Sequence, residues 1–190
     1  MNIIDIMDGL AATQAAAAAL AFLLIALPSE EVYVNFAAAA LMGAALGFLP
    51  WNLSARRKIF MGDSGSLLMG FILAALSLGT DYTQINPLGM YAPVFILLVP
   101  IFDTLYVMVI RMLKGLSPFR GSKDHFPLRM ERMGFSRPQI VSVCVLASVL
   151  LGVCAWLITR VSTPWAIWIY CVVGAFSLML SWRLTQVDMR

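Results

Sequence analysis

The chain has 190 residues, of which 61% are hydrophobic and only 12% are charged, and its formal net charge is +3. Soluble domains are about 45–50% apolar and about 25% charged. This composition excludes an ordinary water-soluble fold, because too few polar residues remain to cover its surface. It predicts a protein whose solvent is the lipid bilayer.

Six apolar stretches are close to the length of about 20 residues that a bilayer-spanning helix requires. They cover residues 10–28, 32–50, 64–80, 90–110, 139–159 and 164–182. Backbone polar groups find no water in lipid, so all six are expected to be helices. The third is short, and Pro100 and Asp103 predict a kink in the fourth. The sequence therefore predicts an all-α polytopic membrane protein with about six transmembrane helices, in a single domain over residues 1–190.

The basic residues gather on one side of these spans. Twelve of the 13 Lys and Arg residues lie in 51–63, in 111–138 or after the last span, and only Arg160 lies on the other side. That other side carries Glu30, Glu31 and Asp81 instead. By the positive-inside rule the basic side is cytoplasmic. Both termini and the two basic loops are therefore expected to face the cytoplasm.

Two acidic segments stand at the starts of predicted helices on this basic side. Asp5 and Asp8 precede the first span, and Asp63 and Ser64 open the third. These residues could simply cap or solvate the helix starts, where acids are favoured. Alternatively, backbone N–H groups at the third helix start could hold phosphate while the Asp63 carboxylate holds Mg²⁺. No Walker pattern is present, so an ATP-type phosphate loop is not indicated.

A third segment is the basic loop 111–137, which contains the sole histidine, His125, beside Asp124. The loop could bind anionic lipid headgroups. His125 could be an ordinary surface residue, but its place beside two acidic segments favours a catalytic or phosphate-binding role. Asp103 is a separate case, since a carboxylate within an apolar span is expensive. Arg111 lies too far along the same helix to contact Asp103 directly. A structural bond from Asp103 to another helix is favoured over a catalytic role.

Taken together, these segments resemble the polyprenyl-phosphate N-acetylhexosamine-1-phosphate transferases of glycosyltransferase family 4, the superfamily that includes translocase I. The family's Asn-x-x-Asp-Gly-x-Asp-Gly-Leu-Ala motif fits Asn2, Asp5, Asp8 and residues 9–11 in register, with Ile6 in place of a glycine. Residues 60–66 read Phe-Met-Gly-Asp-Ser-Gly-Ser, which resembles the family's most diagnostic string. The family's last catalytic loop is resembled by a segment of this chain that begins with Pro-Ile-Phe-Asp at 100–103 and continues through Arg111, Gly115, residues 117–119 and His125.

Two departures from the family pattern bear on the expected substrate and on how much of a family member this chain represents. The histidine-rich motif survives only as His125, with Phe126, Pro127 and Leu128 where further histidines often stand, which points to the branch that uses simpler UDP-N-acetylhexosamines. The family's early aspartate pair is absent, and family members run to ten or eleven spans. The chain is therefore expected to be the C-terminal half of a larger transferase, partnered by a missing N-terminal half or by a second copy.

The resemblance implies transfer of an N-acetylhexosamine 1-phosphate from a UDP-sugar to undecaprenyl phosphate, with release of UMP, for cell-envelope polysaccharide synthesis at the bacterial inner membrane. Mg²⁺, or alternatively Mn²⁺, would assist. By the motif match Asp63 would be the metal ligand, Asp5 would act in catalysis, and His125 would bind the diphosphate or stabilise the leaving UMP. The expected substrate-binding residues are Asn2, Asp8, Phe60, Gly62, Arg120 and Lys123.

The expected partners are thus UDP-N-acetylhexosamine, a polyprenyl phosphate and the lipid bilayer, and no nucleic acid. The alternative is a membrane transporter or assembly subunit without chemistry of its own. A transporter should carry polar residues near the bilayer midplane and often shows repeat symmetry. Asp103 is the only acid within a span, and the other polar residues lie at one interface. This distribution favours an interfacial enzyme.

Overall fold

The structure is a computed structural model that describes residues 1–29, 31–118 and 124–187. The described residues form eight α-helices and no strand, which confirms the predicted all-α class. In chain order they are α1 (Leu10–Ala26), α2 (Val32–Asn52), α3 (Gly62–Leu78), α4 (Ala92–Ile96), α5 (Leu98–Leu113), α6 (Phe126–Arg132), α7 (Arg137–Ile158) and α8 (Thr163–Thr185). Short 3₁₀ turns at Asn2–Ile4, Leu27–Ser29 and Pro87–Tyr91 complete the described secondary structure.

Four helices among the described residues are long and apolar enough to cross a bilayer: α1 with its following 3₁₀ turn, α2, α7 and α8. The segments Pro87–Ile96 and Leu98–Leu113 form a pair bent by 75° that makes a fifth span if it is counted as one. The helix α3 is a shorter apolar helix of 17 residues, as its sequence predicted. Each of the six predicted stretches therefore corresponds to a helical element of a multi-pass membrane protein.

The predicted kink in the fourth stretch lies at Leu97, between α4 and α5. Pro100 has no N–H, so it cannot bond the carbonyl of Ile96 one turn earlier. The helix α4 ends at Ile96, and the chain changes direction at the next residue. The proline thus explains the break, which falls a few residues before the proline itself.

The helix α1 forms the centre of the bundle and packs against α2, α7, α3 and α4. Its alanine-rich face lets neighbouring backbones approach closely, as small residues do between membrane helices. At Gly152 of α7, an added Cβ would lie 3.1 Å from the Cβ of Ala21. A buried hydrogen bond from Ser148 to Gln14 also joins α7 to α1 within the span. In contrast, only 6% of the apolar stretch of α8 is buried within the chain.

The polar segments that the sequence singled out lie together at one end of the bundle. A cluster of buried apolar residues there includes Ile4 and Met7 from the N-terminal segment, Tyr106 from α5, Phe126 from α6 and Ile140 from α7. At the opposite end, Asn86 donates hydrogen bonds to the carbonyl oxygens of Ile158 and Val161, at 2.7 and 2.8 Å. The predicted segregation of the loops is therefore present in the fold. Glu30 lies outside the described residues.

Candidate functional site

The first two acidic segments are tied together by two amide side chains. Ser66 in the first turns of α3 donates a hydrogen bond to Asn2 Oδ1 at 2.8 Å. Asn52, at the end of α2, accepts from Gly9 N at 2.6 Å and donates to the carbonyl oxygen of Ile59 at 3.0 Å. Gly9 has a φ of +79°, a left-handed conformation that glycine adopts without strain. These contacts place the segment before α1 beside the loop before α3.

Between these segments lies a cavity of about 430 Å³, which we call the carboxylate cavity. The described residues that line it are Asp5, Ile6, Met7, Asp8, Asn52, Lys58, Phe60, Met61, Gly62 and Arg137. Four residues that the sequence assigned to the site are among them: Asp5, Asp8, Phe60 and Gly62. Asp63 directly follows Gly62 in the first turn of α3. Asn2 is not in the lining and is bound to Ser66 instead.

Negative charge accumulates around this cavity. Burial raises the pKa of Asp5, and the neighbouring carboxylates of Asp8 and Asp63 raise it further. Within the part of the chain that the structure describes, Asp8 is the one of the three with an ion-pair partner, since Lys58 Nζ lies 2.5 Å from its Oδ2. The Lys58 ammonium also lies 5.0 Å from the centre of the Phe60 ring. The site therefore combines acidic groups that repel one another with two cations of the cavity lining, Lys58 and Arg137.

The structure supports only part of the alternative in which these acids cap or solvate helix starts, because Asp63 does lie in the first turn of α3, where an acid is favoured. The residue preceding α1 is Gly9 and the residue preceding α3 is Met61, and neither helix start carries a side-chain capping bond. The segment of Asp5 and Asp8 is not helical beyond the 3₁₀ turn that ends at Ile4. No side-chain capping bond at these two helix starts therefore occupies the carboxylates.

The donor chemistry fits Mg²⁺ bound together with a phosphate. No group of three or more His, Cys, Asp or Glu side chains within the described ranges is placed to hold a metal ion. Mg²⁺, however, is usually bound through one or two carboxylates, with substrate phosphates and water completing its shell. Asp5 and Asp63 supply such oxygens, and a cation would relieve the repulsion that raises the pKa of Asp5.

The histidine predicted for the site is held elsewhere. His125 is not in the cavity lining; its Nδ1 lies 2.7 Å from Oδ2 of Asp103, which is fully buried. The other oxygen of Asp103, Oδ1, accepts from Phe126 N, the first residue of α6, at 3.0 Å. Asp103 thus makes the structural bond to another helix that the sequence favoured. The sequence did not reveal that its partner is the sole histidine.

The residues around His125 form a hydrogen-bonded network, which we call the loop anchor and define as Asp103, Asp124, His125 and Arg129. Lys114 Nζ and Arg129 Nη2 contact Asp124 Oδ1 at 2.6 and 3.1 Å. Burial alone would raise the pKa of Asp124, but the bonds and charges of Lys114 and Arg129 outweigh it and lower that pKa.

Arg129 extends the loop anchor to the last helix. Its Nη1 donates to the carbonyl oxygens of Leu184 and Val187 at 3.0 and 2.9 Å, at the end of α8. Arg129 is 3% exposed, so its charge is almost completely enclosed by these partners. Two further site predictions from this loop, Arg120 and Lys123, lie outside the described residues.

Two cavity residues were missed by reasoning from the sequence. Asn52 is a lone amide at the end of an apolar helix, and that isolation was the one signal available for it. Arg137 was counted only as a basic residue, although it begins α7 and reaches the cavity. Its guanidinium also pairs with Glu131 at 2.9 Å, in an exposed contact.

Comparison with known proteins tests the family resemblance of the chain. Residues 1–81, which contain both acidic segments, match the model of the family described as glycosyl transferase family 4. The resemblance to this family is confirmed. No solved structure was found to match the chain.

Curated relatives in family 4 are named as transferases. The chain is 32% identical over 165 residues to a probable undecaprenyl-phosphate N-acetylglucosaminyl 1-phosphate transferase of Bacillus subtilis (87% of this chain, 46% of the relative). It is 33% identical over 116 residues to the undecaprenyl-phosphate alpha-N-acetylglucosaminyl 1-phosphate transferase of Escherichia coli K12 (60% of this chain, 32% of the relative). It is 34% identical over 165 residues to the decaprenyl-phosphate N-acetylglucosaminephosphotransferase of Mycobacterium tuberculosis (77% of this chain, 41% of the relative).

The chain therefore spans less than half the length of these family 4 relatives. It aligns to their C-terminal portions. The similarity thus extends from the matched segment at residues 1–81 over most of this chain, but not over most of the relatives.

Proposed function

We propose that this chain takes part in the transfer of N-acetylglucosamine 1-phosphate from UDP-N-acetylglucosamine to undecaprenyl phosphate, with release of UMP, for cell-envelope polysaccharide synthesis. The names of the family 4 relatives support the reaction class. The observation that carries the proposal is the carboxylate cavity, where Asp5 and Asp8 meet Lys58 and Arg137 beside the Phe-Met-Gly-Asp segment. Such a mixture of charges suits a metal-bound diphosphate.

The reaction forms one P–O bond and breaks another. An oxygen of the lipid phosphate attacks the phosphorus that carries the sugar, and the bond to the UMP oxygen breaks. Two anions must approach each other, so the protein has to offset their repulsion. Lys58 and Arg137 would face the diphosphate with their positive charges, while Asp5 would orient the donor. Mg²⁺ bound by Asp63 and Asp5 would supply further charge neutralisation.

His125 has a separate place in this proposal, together with Arg120 and Lys123. It would bind the diphosphate or stabilise the leaving UMP, as the family resemblance implies. Its attachment to Asp103 holds the ring in one orientation, which favours a defined contact over a mobile one. Asn2 would support the donor site through its bond to Ser66.

A transfer assay tests the reaction. Membranes containing the chain are supplied with radiolabelled UDP-N-acetylglucosamine, undecaprenyl phosphate and Mg²⁺, and the label in extracted lipid is measured. Since the chain spans less than half of the Bacillus relative, the assay is run with the chain alone and with the co-expressed part of that relative that the chain does not match. We expect labelled lipid only in the second case, and turnover by the chain alone would contradict the need for a partner segment.

A binding measurement on the purified chain is independent of that partner. We expect calorimetry to show Mg²⁺-dependent binding of UDP-N-acetylglucosamine. A control is Asp81→Asn, which should bind like the wild type, since Asp81 is exposed at the opposite end and accepts hydrogen bonds from Thr83. Wild-type protein that binds no UDP-sugar in Mg²⁺ would contradict the assignment of the cavity.

The orientation in the membrane is also a proposal: the end that carries the carboxylate cavity faces the cytoplasm of a bacterial inner membrane. A Lys58→Cys variant, in a background with Cys144, Cys154 and Cys171 replaced by alanine, tests it with a membrane-impermeant thiol reagent. We expect no labelling from outside at position 58 and strong labelling of Asp81→Cys in the same background. The reverse pattern would overturn the orientation.

A further inference from the structure

The two oxygens of Asp103 have different partners, and this difference indicates which nitrogen of His125 carries a proton. Oδ1 accepts a hydrogen bond from the backbone N–H of Phe126 at 3.0 Å, and Oδ2 lies 2.7 Å from Nδ1 of His125. An ionised carboxylate accepts hydrogen bonds and donates none. If Asp103 is ionised, the contact to Nδ1 is a hydrogen bond only when the imidazole carries a proton on that nitrogen.

We infer that Asp103 is a positioning residue that fixes His125 with its proton on Nδ1, and leaves Nε2 as the ring nitrogen that gains a proton and meets an anionic ligand. Nε2 lies on the opposite edge of the ring from Nδ1, and no hydrogen bond to it is found from any residue that the structure describes. The His125 side chain is 10% exposed, so the ring is enclosed on the Asp103 side without being sealed.

The consequence for chemistry follows from the location of that proton. A histidine whose orientation and tautomer are set by a carboxylate presents one defined nitrogen to its substrate. If the proposed transfer is correct, on which this step alone rests, Nε2 of His125 is the atom that meets a phosphate oxygen of the donor or of the leaving UMP. Asp103 would then act on the reaction only through His125.

An amide at position 103 should reverse the tautomer. The Phe126 N–H can only donate, so the oxygen of Asp103→Asn must remain against it and the amide nitrogen must face the imidazole. An amide nitrogen donates, and Nδ1 would have to accept from it. The ring proton would then move to Nε2, with little change in side-chain volume.

The chain contains one histidine, so this proton can be observed without ambiguity. The 190-residue protein is prepared in detergent micelles with ¹⁵N-labelled histidine and without a polyhistidine tag, at a pH where the ring carries one proton. Proton–nitrogen correlation spectra then identify the protonated nitrogen. We expect Nδ1 in the wild type and Nε2 in Asp103→Asn. Asp124→Asn is the control, because that neighbouring carboxylate contacts Lys114 and Arg129 rather than the ring.

The wild-type spectrum decides the inference even if the Asn variant fails to fold. A proton on Nε2, or rapid exchange between the two tautomers, would overturn it, as would a neutral Asp103 that donates to Nδ1. Adding UMP with Mg²⁺ tests the functional step separately, since binding should shift the Nε2 signal more than the Nδ1 signal. A fixed Nδ1 proton with no response to UMP would uphold the role of Asp103 and contradict the proposed contact.

Discussion

The carboxylate cavity and the loop anchor lie at the same end of the bundle, but they use charge in opposite ways. In the cavity, Asp5 is raised in pKa by burial and by two neighbouring carboxylates, and one exposed lysine pairs with Asp8. In the loop anchor, Arg129 and Asp124 each have several partners, and Asp103 uses both of its oxygens. Among the described residues, the carboxylates of the first region are only partly neutralised, whereas the charges of the second region are paired within the fold.

This difference separates the cavity residues, which would serve a ligand, from Asp103, Asp124 and Arg129, which hold the loop in place; His125 is held by Asp103 but keeps Nε2 for the proposed ligand. Groups that must bind a cation and a diphosphate cannot be saturated by the protein beforehand, so they repel one another in its absence. Buried polar groups that fix a loop against three helices stabilise the fold only when their hydrogen bonds are satisfied. Substitutions in the two regions should therefore have different consequences, and the expectations below run from the largest effect to the smallest.

The largest loss of stability is expected at Arg129. Arg129→Gln removes a buried charge from Asp124 and leaves two carbonyl oxygens at the end of α8 without their donor. Breaking a buried ion pair from one side commonly costs about 3–5 kcal/mol. Thermal unfolding in detergent, followed by circular dichroism, measures this.

The matched control for Arg129→Gln is Arg137→Gln in the cavity. The pair of Arg137 with Glu131 is exposed and should contribute about 1 kcal/mol or less. We expect this variant to unfold like the wild type and to bind UDP-N-acetylglucosamine more weakly. Equal stability losses at positions 129 and 137 would remove the distinction between the two regions.

The largest loss of transfer activity is expected at Asp63. Asp63→Asn keeps the size of the side chain but removes the charge that Mg²⁺ requires of its ligands. We expect Mg²⁺-dependent transfer to fall about 10²–10³-fold, the loss typical of removing one charge-stabilising group. The measurement is the transfer assay with the partner segment present, with membrane insertion checked in parallel. Near-normal transfer would remove Asp63 from the metal site.

An intermediate loss of stability is expected at Asn52, an uncharged side chain that joins the two segments beside the cavity. Asn52→Ala leaves the N–H of Gly9 and the carbonyl of Ile59 without their partner. Leaving a buried polar group unsatisfied costs about 1–3 kcal/mol. Thermal unfolding should show this loss, whereas Ser54→Ala in the same loop, where the hydroxyl bonds only exposed backbone, should not. Similar melting temperatures for both variants would contradict the role of Asn52.

The smallest effect is expected at Asp5 and has the opposite sign. Its pKa is raised in the folded chain, so folding disfavours its ionised form. The free energy of unfolding therefore falls as the pH rises from the ordinary value of 3.8 through the raised pKa. We expect Asp5→Asn to be slightly more stable than the wild type at pH 7 and equal to it below pH 3.8. A destabilised variant at pH 7 would show that Asp5 is structural.

Much of this arrangement could be predicted from the sequence, because lipid restricts the choices so strongly. Hydropathy located every spanning helix, and Pro100 located the bend to within a few residues. Four of the predicted site residues line one cavity. Asn52 and Arg137 were missed because a single amide or a single basic residue has no periodicity that marks it. Their roles depend on which loops meet in space.

The sequence by itself determined the class of the protein, its helices and the grouping of its polar segments, because these follow from local hydropathy and from charge counted along the chain. Only the tertiary structure decided which of those polar residues contact one another. Asp103 and His125 are 22 positions apart, and Asp8 and Lys58 are 50 apart. Whether a carboxylate meets a histidine, a lysine or another carboxylate is set by helix packing over such separations, and no local pattern in the sequence records it.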